Sequence, residues 1–150
     1  MRATPRLPKV NIVPCWAKPT AKLGKVYAAE KKYQPAIAAL ESAALYGRES
    51  QEVLIDLAIA YFDAEQYEKA LKPLARALAA NPQSANAHHM LGKTYFMLGD
   101  FDQSVAELRA ALKVTPSDKD IAYTLGLAYL KQHQFALAQG DLPAHARPVG

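Results

Sequence analysis

The sequence predicts an all-α fold, a solenoid of stacked antiparallel helix pairs, and three observations lead to this prediction. The same pattern of apolar, small and aromatic residues returns every 34 positions without an insertion. Each period contains two stretches with apolar residues at helical spacing. Residues that end or cap helices separate those stretches. With 150 residues, 51% of them hydrophobic, the chain is large enough to bury a core.

Two slots show the period most clearly, and both recur in four consecutive units. One slot, within the first helix of each unit, always holds a small residue: Gly24, Ala58, Gly92 and Gly126. The other slot opens the second helix with an aromatic residue: Tyr33, Tyr67, Phe101 and Phe135. Small residues let two helices approach closely, whereas aromatic rings fill the space between neighbouring pairs. Because one helix pair cannot bury its apolar face alone, the units must stack.

The first helix of the clearest unit is predicted over residues 85–98. The residues of its inward face are Leu91, Tyr95 and Leu98. Gly99 follows, and glycine ends helices because it tolerates a positive φ. Asp100 can then cap the next helix, with Gln103 three residues later as its capping-box partner.

The second helix of this unit is predicted over residues 101–114. Pro116 ends it, because proline cannot continue the hydrogen-bond ladder of a helix. Ser117 is predicted to cap the following helix, with Asp120 three residues later. In the preceding unit, Pro73 lies inside the equivalent helix, where it should remove one backbone hydrogen bond and bend the helix.

The units divide the chain into an irregular, basic, proline-rich arm, a solenoid and an irregular tail. The predicted ranges are 1–16 for the arm, 17–140 for the solenoid (units 17–50, 51–84, 85–118 and a partial 119–140) and 141–150 for the tail. In the partial unit a second helix should begin at Phe135. Gly140, Asp141 and Pro143 should halt that helix after little more than one turn.

The last long helix is apolar on more than one face, whereas a solenoid normally finishes with a polar outer face. Its apolar residues are Ile121, Leu125, Leu127, Tyr129 and Leu130. Three explanations are open: the tail folds over it, another chain covers it, or the sequence belongs to a longer array. We favour a longer array, and after it self-association through these uncapped C-terminal helices.

The repeat resembles the tetratricopeptide repeat (TPR) family, whose 34-residue unit carries W-x2-L-G-x2-Y followed by alanine, aromatic, alanine and proline positions. The matching residues are Leu91, Gly92, Tyr95 and Pro116, with Ala36 and Ala70 at the middle alanine. The departures are Thr20, Leu54, His88 and Ala122 in the tryptophan slot, and Ser104 for that alanine in the third unit. The resemblance implies a right-handed α-α superhelix that acts as a non-catalytic scaffold or adaptor. The alternative is an accessory segment of a larger enzyme or regulatory protein.

In this family the first helices of successive units line a concave groove that receives a peptide or helix. Carried over by position, the groove residues are Ile55, Ile59, Phe62, Asp63, His89, Lys93, Phe96, Met97, Tyr123, Leu127 and Leu130. The polar residues Glu52, Asp56, Asn86, Asp120 and Thr124 face the same groove by position, and the acids among them edge the apolar stripe. Such a groove favours a peptide partner with apolar anchors and a basic flank. The alternative is that Ile59 and the two phenylalanines simply pack between helices.

Some members of the family grip the C-terminal carboxylate of chaperones with a clamp of lysine, asparagine and arginine side chains. Taking the first three units, the corresponding slots hold Ala21, Lys25, Asp56, Asn86 and Met90. One unit later they hold Ile55, Ile59, Met90, Asp120 and Thr124. Neither set assembles the cationic clamp, so the sequence argues against capture of chaperone tails.

Charge is unevenly distributed along the chain. The net charge is +4, with +7 in residues 1–32 and −3 in the remainder. A basic end can meet nucleic acid, an anionic membrane or an acidic partner, but a solvated basic arm and helix face are the simpler interpretation, and we predict no nucleic-acid role. The sequence has no apolar run long enough to span a membrane, and Met1–Pro19 lacks the apolar core of a secretory signal. If Met1 is the true start, we expect a cytoplasmic protein.

No residue pattern indicates an enzyme, a cofactor or a metal. Cys15 stands alone, so it cannot form an internal disulfide. His88 and His89 are adjacent on a helix and point about 100° apart, so they cannot readily chelate one ion. The glycines mark helix junctions rather than a phosphate loop, and no nucleophile elbow occurs. We therefore predict no catalytic, cofactor-binding or metal residues.

Overall fold

The structure is a computed structural model that describes residues 21–46 and 50–139, the last five of these by their backbone only. Seven α-helices lie in this part of the chain, and none of its residues is in a β-strand. The helices are α1 (Ala21–Ala29), α2 (Tyr33–Tyr46), α3 (Gln51–Asp63), α4 (Tyr67–Ala80), α5 (Ala85–Leu98), α6 (Phe101–Val114) and α7 (Lys119–Gln139). The predicted arm 1–16, the start of the first unit and the tail 141–150 fall outside the described residues.

The helices form two layers, as the predicted solenoid requires. Each helix packs on the next along the chain, and α1, α3, α5 and α7 also contact their neighbours within one layer. The second helices α2, α4 and α6 make the other layer, in which successive helices lie farther apart. The prediction of an all-α solenoid of helix pairs is confirmed. None of the helices described is long and apolar enough to cross a membrane.

The turn inside each of the first three units uses one left-handed residue at the same slot. These residues are Lys31 (φ 59°), Glu65 (φ 59°) and Gly99 (φ 83°). The predicted cap after the third turn is present, since Asp100 accepts a hydrogen bond from the Gln103 backbone N–H at 3.2 Å. Lysine and glutamate bear a steric cost in this conformation that glycine avoids, and the packing of the returning helix must offset it.

The start of α7 differs from the prediction by one residue. Asp118, not Ser117, is the cap, because its Oδ1 accepts from the backbone N–H groups of Asp120 at 2.9 Å and Ile121 at 3.2 Å. With α7 beginning at Lys119, Ser117 lies too far out to reach those N–H groups. A carboxylate in this position also interacts favourably with the helix dipole.

The predicted second helix of the fourth unit, starting at Phe135, is wrong in this structure. α7 instead continues without interruption to Gln139. His133 occupies the slot of the left-handed turn residues but remains helical. A histidine bears a steric cost at positive φ, and the continued helix avoids that cost.

Leucines of the second helices fill the core at the small-residue slots. Leu40, Leu74 and Leu108 are almost completely buried, as is Leu54 of α3. Pro73 is buried inside α4, and the helix continues through it. The buried leucines hold the two layers in close contact. This contact fixes the spacing between α3 and α5 on the side of the first helices that faces away from the second helices.

Candidate functional site

A groove of about 540 Å³ lies between α3 and α5. Its lining residues are Gln51, Glu52, Ile55, Asp56, Ile59, Ser84, Asn86, His89 and Met90. Ile55 and Ile59 are one helical turn apart on α3, so both point to the same side, while Leu54 and Leu57 face the core. The groove therefore has an apolar floor, of which Ile55 also packs against the core residues Leu54, Ala77 and Ala87.

Two capping serines fix the ends of the helices that flank this groove. Ser50 Oγ accepts from the Val53 backbone N–H at the start of α3, and Ser84 Oγ accepts from Ala87 at the start of α5, both at 3.3 Å. Each cap satisfies a backbone donor that would otherwise be unpaired in the first turn. The backbones that carry the groove residues are thus fixed from their N-termini.

The α3 wall of the groove is acidic, and one lysine from α1 reaches across to it. Lys25 Nζ lies 2.6 Å from a Glu52 oxygen and 3.2 Å from Asp56 Oδ2. Hydrogen bonding to Lys25 lowers the pKa of exposed Glu52. Burial raises the pKa of Asp56 although the same ammonium opposes the shift. The ammonium group of Lys25 therefore pairs with two carboxylates, those of Glu52 and Asp56.

One turn beyond the groove along α3, a second cation contacts an aromatic ring. Lys93 Nζ lies 5.3 Å from the centroid of the Phe62 ring, a cation–π distance. Phe62 also packs edge-to-face on Tyr67, with 5.2 Å between ring centroids. Burial raises the pKa of Asp63, an effect that the positive charge of Lys93 partly offsets. The surface next to the groove therefore carries both an aromatic ring and a positive charge.

The two adjacent histidines have different surroundings. His88 lies between helices, with Nδ1 2.7 Å from Glu107 Oε2 and Nε2 2.9 Å from the Pro82 carbonyl. His89 faces the groove, and its buried Nε2 has no hydrogen-bond partner among the described residues. Burial, assisted by Lys93, lowers the pKa of His89. His89 therefore presents a neutral imidazole to the groove near pH 7.

The structure brings only some of the predicted groove residues together. Ile55, Ile59 and His89 line the groove, while Phe62, Asp63 and Lys93 lie one turn beyond it. Phe96 instead packs on Phe101, with 5.6 Å between ring centroids, and against the core under α6 and α7. The remaining four predicted residues do not line this groove: Met97, Tyr123 and Leu130 are exposed, and Leu127 is half-buried.

The prediction omitted three residues that line the groove, namely Gln51, Ser84 and Met90. Met90 follows His89 directly and lies one turn after Asn86, so helical spacing could have indicated it. Ser84 and Gln51 lie at the N-termini of the two helices, where capping preferences rather than apolar spacing identify residues.

A second cleft, of about 470 Å³, lies on the opposite layer between α2 and α4. Its lining residues are Glu41, Ala44, Leu45, Leu57, Tyr61, Glu68, Lys69, Lys72, Pro73 and Arg76. The Tyr61 hydroxyl donates a hydrogen bond to Glu41 inside it. Burial and this carboxylate raise the pKa of Tyr61 to about 12. In the described part of the chain, no three His, Cys, Asp or Glu side chains are placed to hold a metal ion.

Helix pairs of this length, stacked in register around a groove on the first helices, define a helical repeat protein. The family model described as tetratricopeptide repeat matches residues 27–94 and 61–125. These matches span most of the chain, and the chain belongs to the tetratricopeptide repeat family. No curated protein sequence matches the chain.

Solved structures show the same fold. The first TPR of Spaghetti (RPAP3), bound to the HSP90 peptide SRMEEVD, is 20% identical, with a TM-score of 0.71 over 79% of this chain and 90% of that chain. The TPR domain of Sgt2 from Aspergillus fumigatus is 20% identical, with a TM-score of 0.73 over 96% of this chain and 95% of that one. MamA is 28% identical, with a TM-score of 0.70 over 75% of this chain and 66% of that one.

Proposed function

We propose that this chain is a protein-interaction module that holds a segment of a partner protein in the groove between α3 and α5. One observation carries the proposal: the groove combines an apolar floor of Ile55, Ile59 and Met90 with the carboxylates of Glu52 and Asp56. Burial of apolar anchors supplies much of the binding free energy in such recognition, and the charged edge sets direction and specificity.

The charges around the groove favour a basic partner. Acidic groups of the groove and its surroundings are Glu52, Asp56, Asp63, Asp118 and Asp120, against the cations Lys25 and Lys93. Lys25 already pairs with Glu52 and Asp56, so the one cation on the α3 wall is neutralised. A lysine or arginine of the partner can add to this acidic wall, or replace Lys25 on it.

The same charges argue against acidic peptides. The TPR of Spaghetti binds the HSP90 peptide SRMEEVD, which is rich in carboxylates. In this chain the slots that would need cations include Asp56, and the only lysine among them, Lys25, is paired. Like charges at a binding site repel the wrong partner. We therefore expect SRMEEVD to bind this groove poorly.

The test uses three fluorescent peptides with the full chain: one leucine-rich core flanked by lysines, the same core flanked by glutamates, and SRMEEVD. Fluorescence anisotropy should show the lysine-flanked peptide binding about tenfold more tightly than either acidic peptide, with the preference shrinking as salt rises. Equal or tighter binding of the acidic peptides would contradict the assigned partner chemistry.

Two variants localise the binding. Ile59→Lys places a charge on the apolar floor and should weaken the lysine-flanked peptide about tenfold or more. Leu45→Lys is the matched control, since Leu45 is 80% exposed and lies on the other layer. Circular dichroism must show the same helical signal in both. If the two variants weaken binding equally, the groove is not the binding site.

A further inference from the structure

The cleft between α2 and α4 lies on the layer of second helices, and its α2 wall is largely apolar. Successive second helices lie farther apart than successive first helices, which leaves a space above α3. Leu57 and Tyr61 of α3 form the floor of this space, and Ala44 and Leu45 form the apolar part of the α2 wall. Leu45 is 80% exposed, so the described part of the chain leaves this leucine uncovered.

The α4 wall of the same cleft carries a row of three cations. Lys69, Lys72 and Arg76 are three and four residues apart, so they lie on one face of α4 and extend over about 10 Å. All three are exposed. Among the described residues, the ammonium groups of Lys69 and Lys72 have no ion-pair partner, whereas Lys25 and Lys32 are both paired with carboxylates. The row therefore presents positive charge that the chain itself does not use.

The repeat does not require these cations. The equivalent slots hold Pro35, Ala38 and Ser42 in α2, and Gln103, Ala106 and Ala110 in α6. The slot of Leu45 holds the smaller Ala79 one unit later. Because α2 and α6 form the same kind of helix without a cationic row, the fold alone does not account for the row. Its combination with an exposed leucine is specific to the cleft between α2 and α4.

The two carboxylates of the cleft have partners or roles within the chain. Glu41 accepts the hydrogen bond of the Tyr61 hydroxyl at the floor. Glu68 lies in the first turn of α4, where a carboxylate interacts favourably with the helix dipole. With three cations against these two acids, the cleft retains a net positive charge. It is thus opposite in sign to the acidic wall of the groove on the other layer.

We propose that this cleft is a second docking surface, and that its occupant is an amphipathic helix of a partner protein with an acidic stripe beside an apolar one. Carboxylates three and four residues apart on a helix lie on one face, with the same spacing as Lys69, Lys72 and Arg76. The apolar stripe of that helix would pack on Leu45 and on the floor. Single exposed ion pairs contribute little, so the cationic row and the apolar burial must act together.

Charge argues against an occupant from the two ends of the sequence itself. Residues 1–16 contain Arg2, Arg6 and Lys9 but no acid, so the cationic row would repel them. Residues 140–150 contain a single acid, Asp141, together with Arg147, and cannot supply a row of carboxylates. A nucleic acid has a row of negative charges but no apolar stripe to cover the exposed leucine. The combination favours a protein helix.

The test uses the full chain and a fluorescent helical peptide of about 15 residues, roughly four turns, with glutamates in one stripe and leucines in the next. Fluorescence anisotropy should show this peptide binding about tenfold more tightly than the same peptide with glutamines for glutamates, with the difference shrinking as salt rises. A peptide with glutamates only at its two ends cannot meet the row and should not bind the cleft. Equal affinities of the glutamate-stripe and glutamine-stripe peptides would show that the cations do not recognise the partner.

Two matched pairs of variants localise this binding. Lys72→Glu should weaken the glutamate-stripe peptide about tenfold, whereas Lys113→Glu, the same substitution at an exposed position of α6, should not. Leu45→Asp should also weaken binding, whereas Tyr46→Asp should not, because both residues are exposed at the end of α2 but only Leu45 lines the cleft. Circular dichroism must show the same helical signal in all four. Equal losses within either pair would place the peptide elsewhere.

A crossed comparison separates the cleft from the proposed groove. Ile59→Lys changes the groove floor and should leave the affinity for the glutamate-stripe peptide unchanged. Lys72→Glu should likewise leave the affinity for the lysine-flanked peptide unchanged. If Ile59→Lys weakens the glutamate-stripe peptide, its site is the groove and the inference about the cleft is wrong. Loss of binding by the lysine-flanked peptide alone would overturn the proposed function and leave the cleft intact.

Two rival occupants have their own signatures, and either would overturn the proposal. A single-stranded oligonucleotide might bind more tightly than the glutamate-stripe peptide and lose affinity with Lys72→Glu. The row would then serve phosphates. Sedimentation might instead reveal a dimer that Lys72→Glu dissociates. The occupant would then be a second copy of the chain.

Discussion

Gly92 of α5 faces Leu108 of α6 so closely that a Cβ on residue 92 would lie 2.6 Å from Leu108 Cγ. The backbone carbonyl of Gly92 also accepts a hydrogen bond from Ser104 Oγ at 2.8 Å. Ser104 is completely buried, in the slot where other units have alanine. The contact between the two helices is therefore set by the absence of a side chain on one of them and by a buried hydroxyl on the other.

Gly92→Ala should destabilise the chain by about 1–2 kcal/mol. A methyl group at this position must displace the branched carbon of Leu108, and overpacking of this kind outweighs the gain in helix propensity. Urea unfolding followed by circular dichroism measures the change.

Gly126→Ala is the control for this prediction, because no atom of the described residues lies within 4 Å of the place where its methyl group would be. It should stabilise the chain by about 0.5–1 kcal/mol through helix propensity alone. If both substitutions stabilise the chain, or if both destabilise it, packing against Leu108 does not decide the outcome.

His88→Ala should cost about 1–3 kcal/mol of stability. The imidazole joins α5 to Glu107 of α6 at 2.7 Å and to the Pro82 carbonyl at 2.9 Å, so removal leaves partly buried oxygen atoms without their partner. A double-mutant cycle with Glu107→Ala, again by urea unfolding, should give a coupling of about 1 kcal/mol. A coupling near zero would show that the pair contributes nothing despite its geometry.

The fold was predictable because the register of the repeat is a long-range signal contained in the sequence. Gly99 identifies its turn by local chemistry, but Lys31 and Glu65 occupy the same left-handed slot and are revealed only by register. Register then misled at His133, which occupies the turn slot but remains helical within α7. Ser117 and Asp118 are adjacent capping residues, and pattern alone could not choose between them.

The candidate site was predictable in part, for a related reason. Position in the repeat identifies which side of α3 and α5 faces the groove, and so gives Ile55, Ile59 and His89. It does not say which side chains turn inward, as Phe96 does towards Phe101. Nor does it reveal the pairing of Lys25 with Glu52, which joins residues 27 positions apart and depends on how two units stack.

The Tyr61 hydroxyl should remain protonated at pH values well above the usual pKa of tyrosine. Its pKa is raised from 10.0 to about 12 by burial and by the Glu41 carboxylate, so the folded state holds this proton more tightly than the unfolded state. The resulting stabilisation is complete below pH 10 and is lost as the pH rises towards 12. The loss should amount to roughly 1–3 kcal/mol, reduced by the partial exposure of the group.

The measurement compares wild type with Tyr61→Phe by urea unfolding at several alkaline pH values. Between pH 10 and pH 12 the wild type should lose stability more steeply than Tyr61→Phe, and its tyrosinate absorbance should show one group that titrates late. Parallel stability curves would show that Tyr61 ionises equally in both states. Glu41→Gln, which removes the charge, should move the titration of Tyr61 back towards its ordinary range.

His89 should titrate below its ordinary pKa of 6.5, and its neighbours should tune it in opposite directions. Burial lowers the pKa first and Lys93 lowers it further, while Asp118 and Asp120 raise it. Lys93→Met should therefore raise the pKa of His89, and Asp120→Asn should lower it, as followed by NMR of the imidazole protons. Because the folded state disfavours the imidazolium, stability is present above pH 6.5 and falls as the pH drops from there to the folded-state pKa. If both substitutions move the pKa in the same direction, these charges do not act on His89 through the groove.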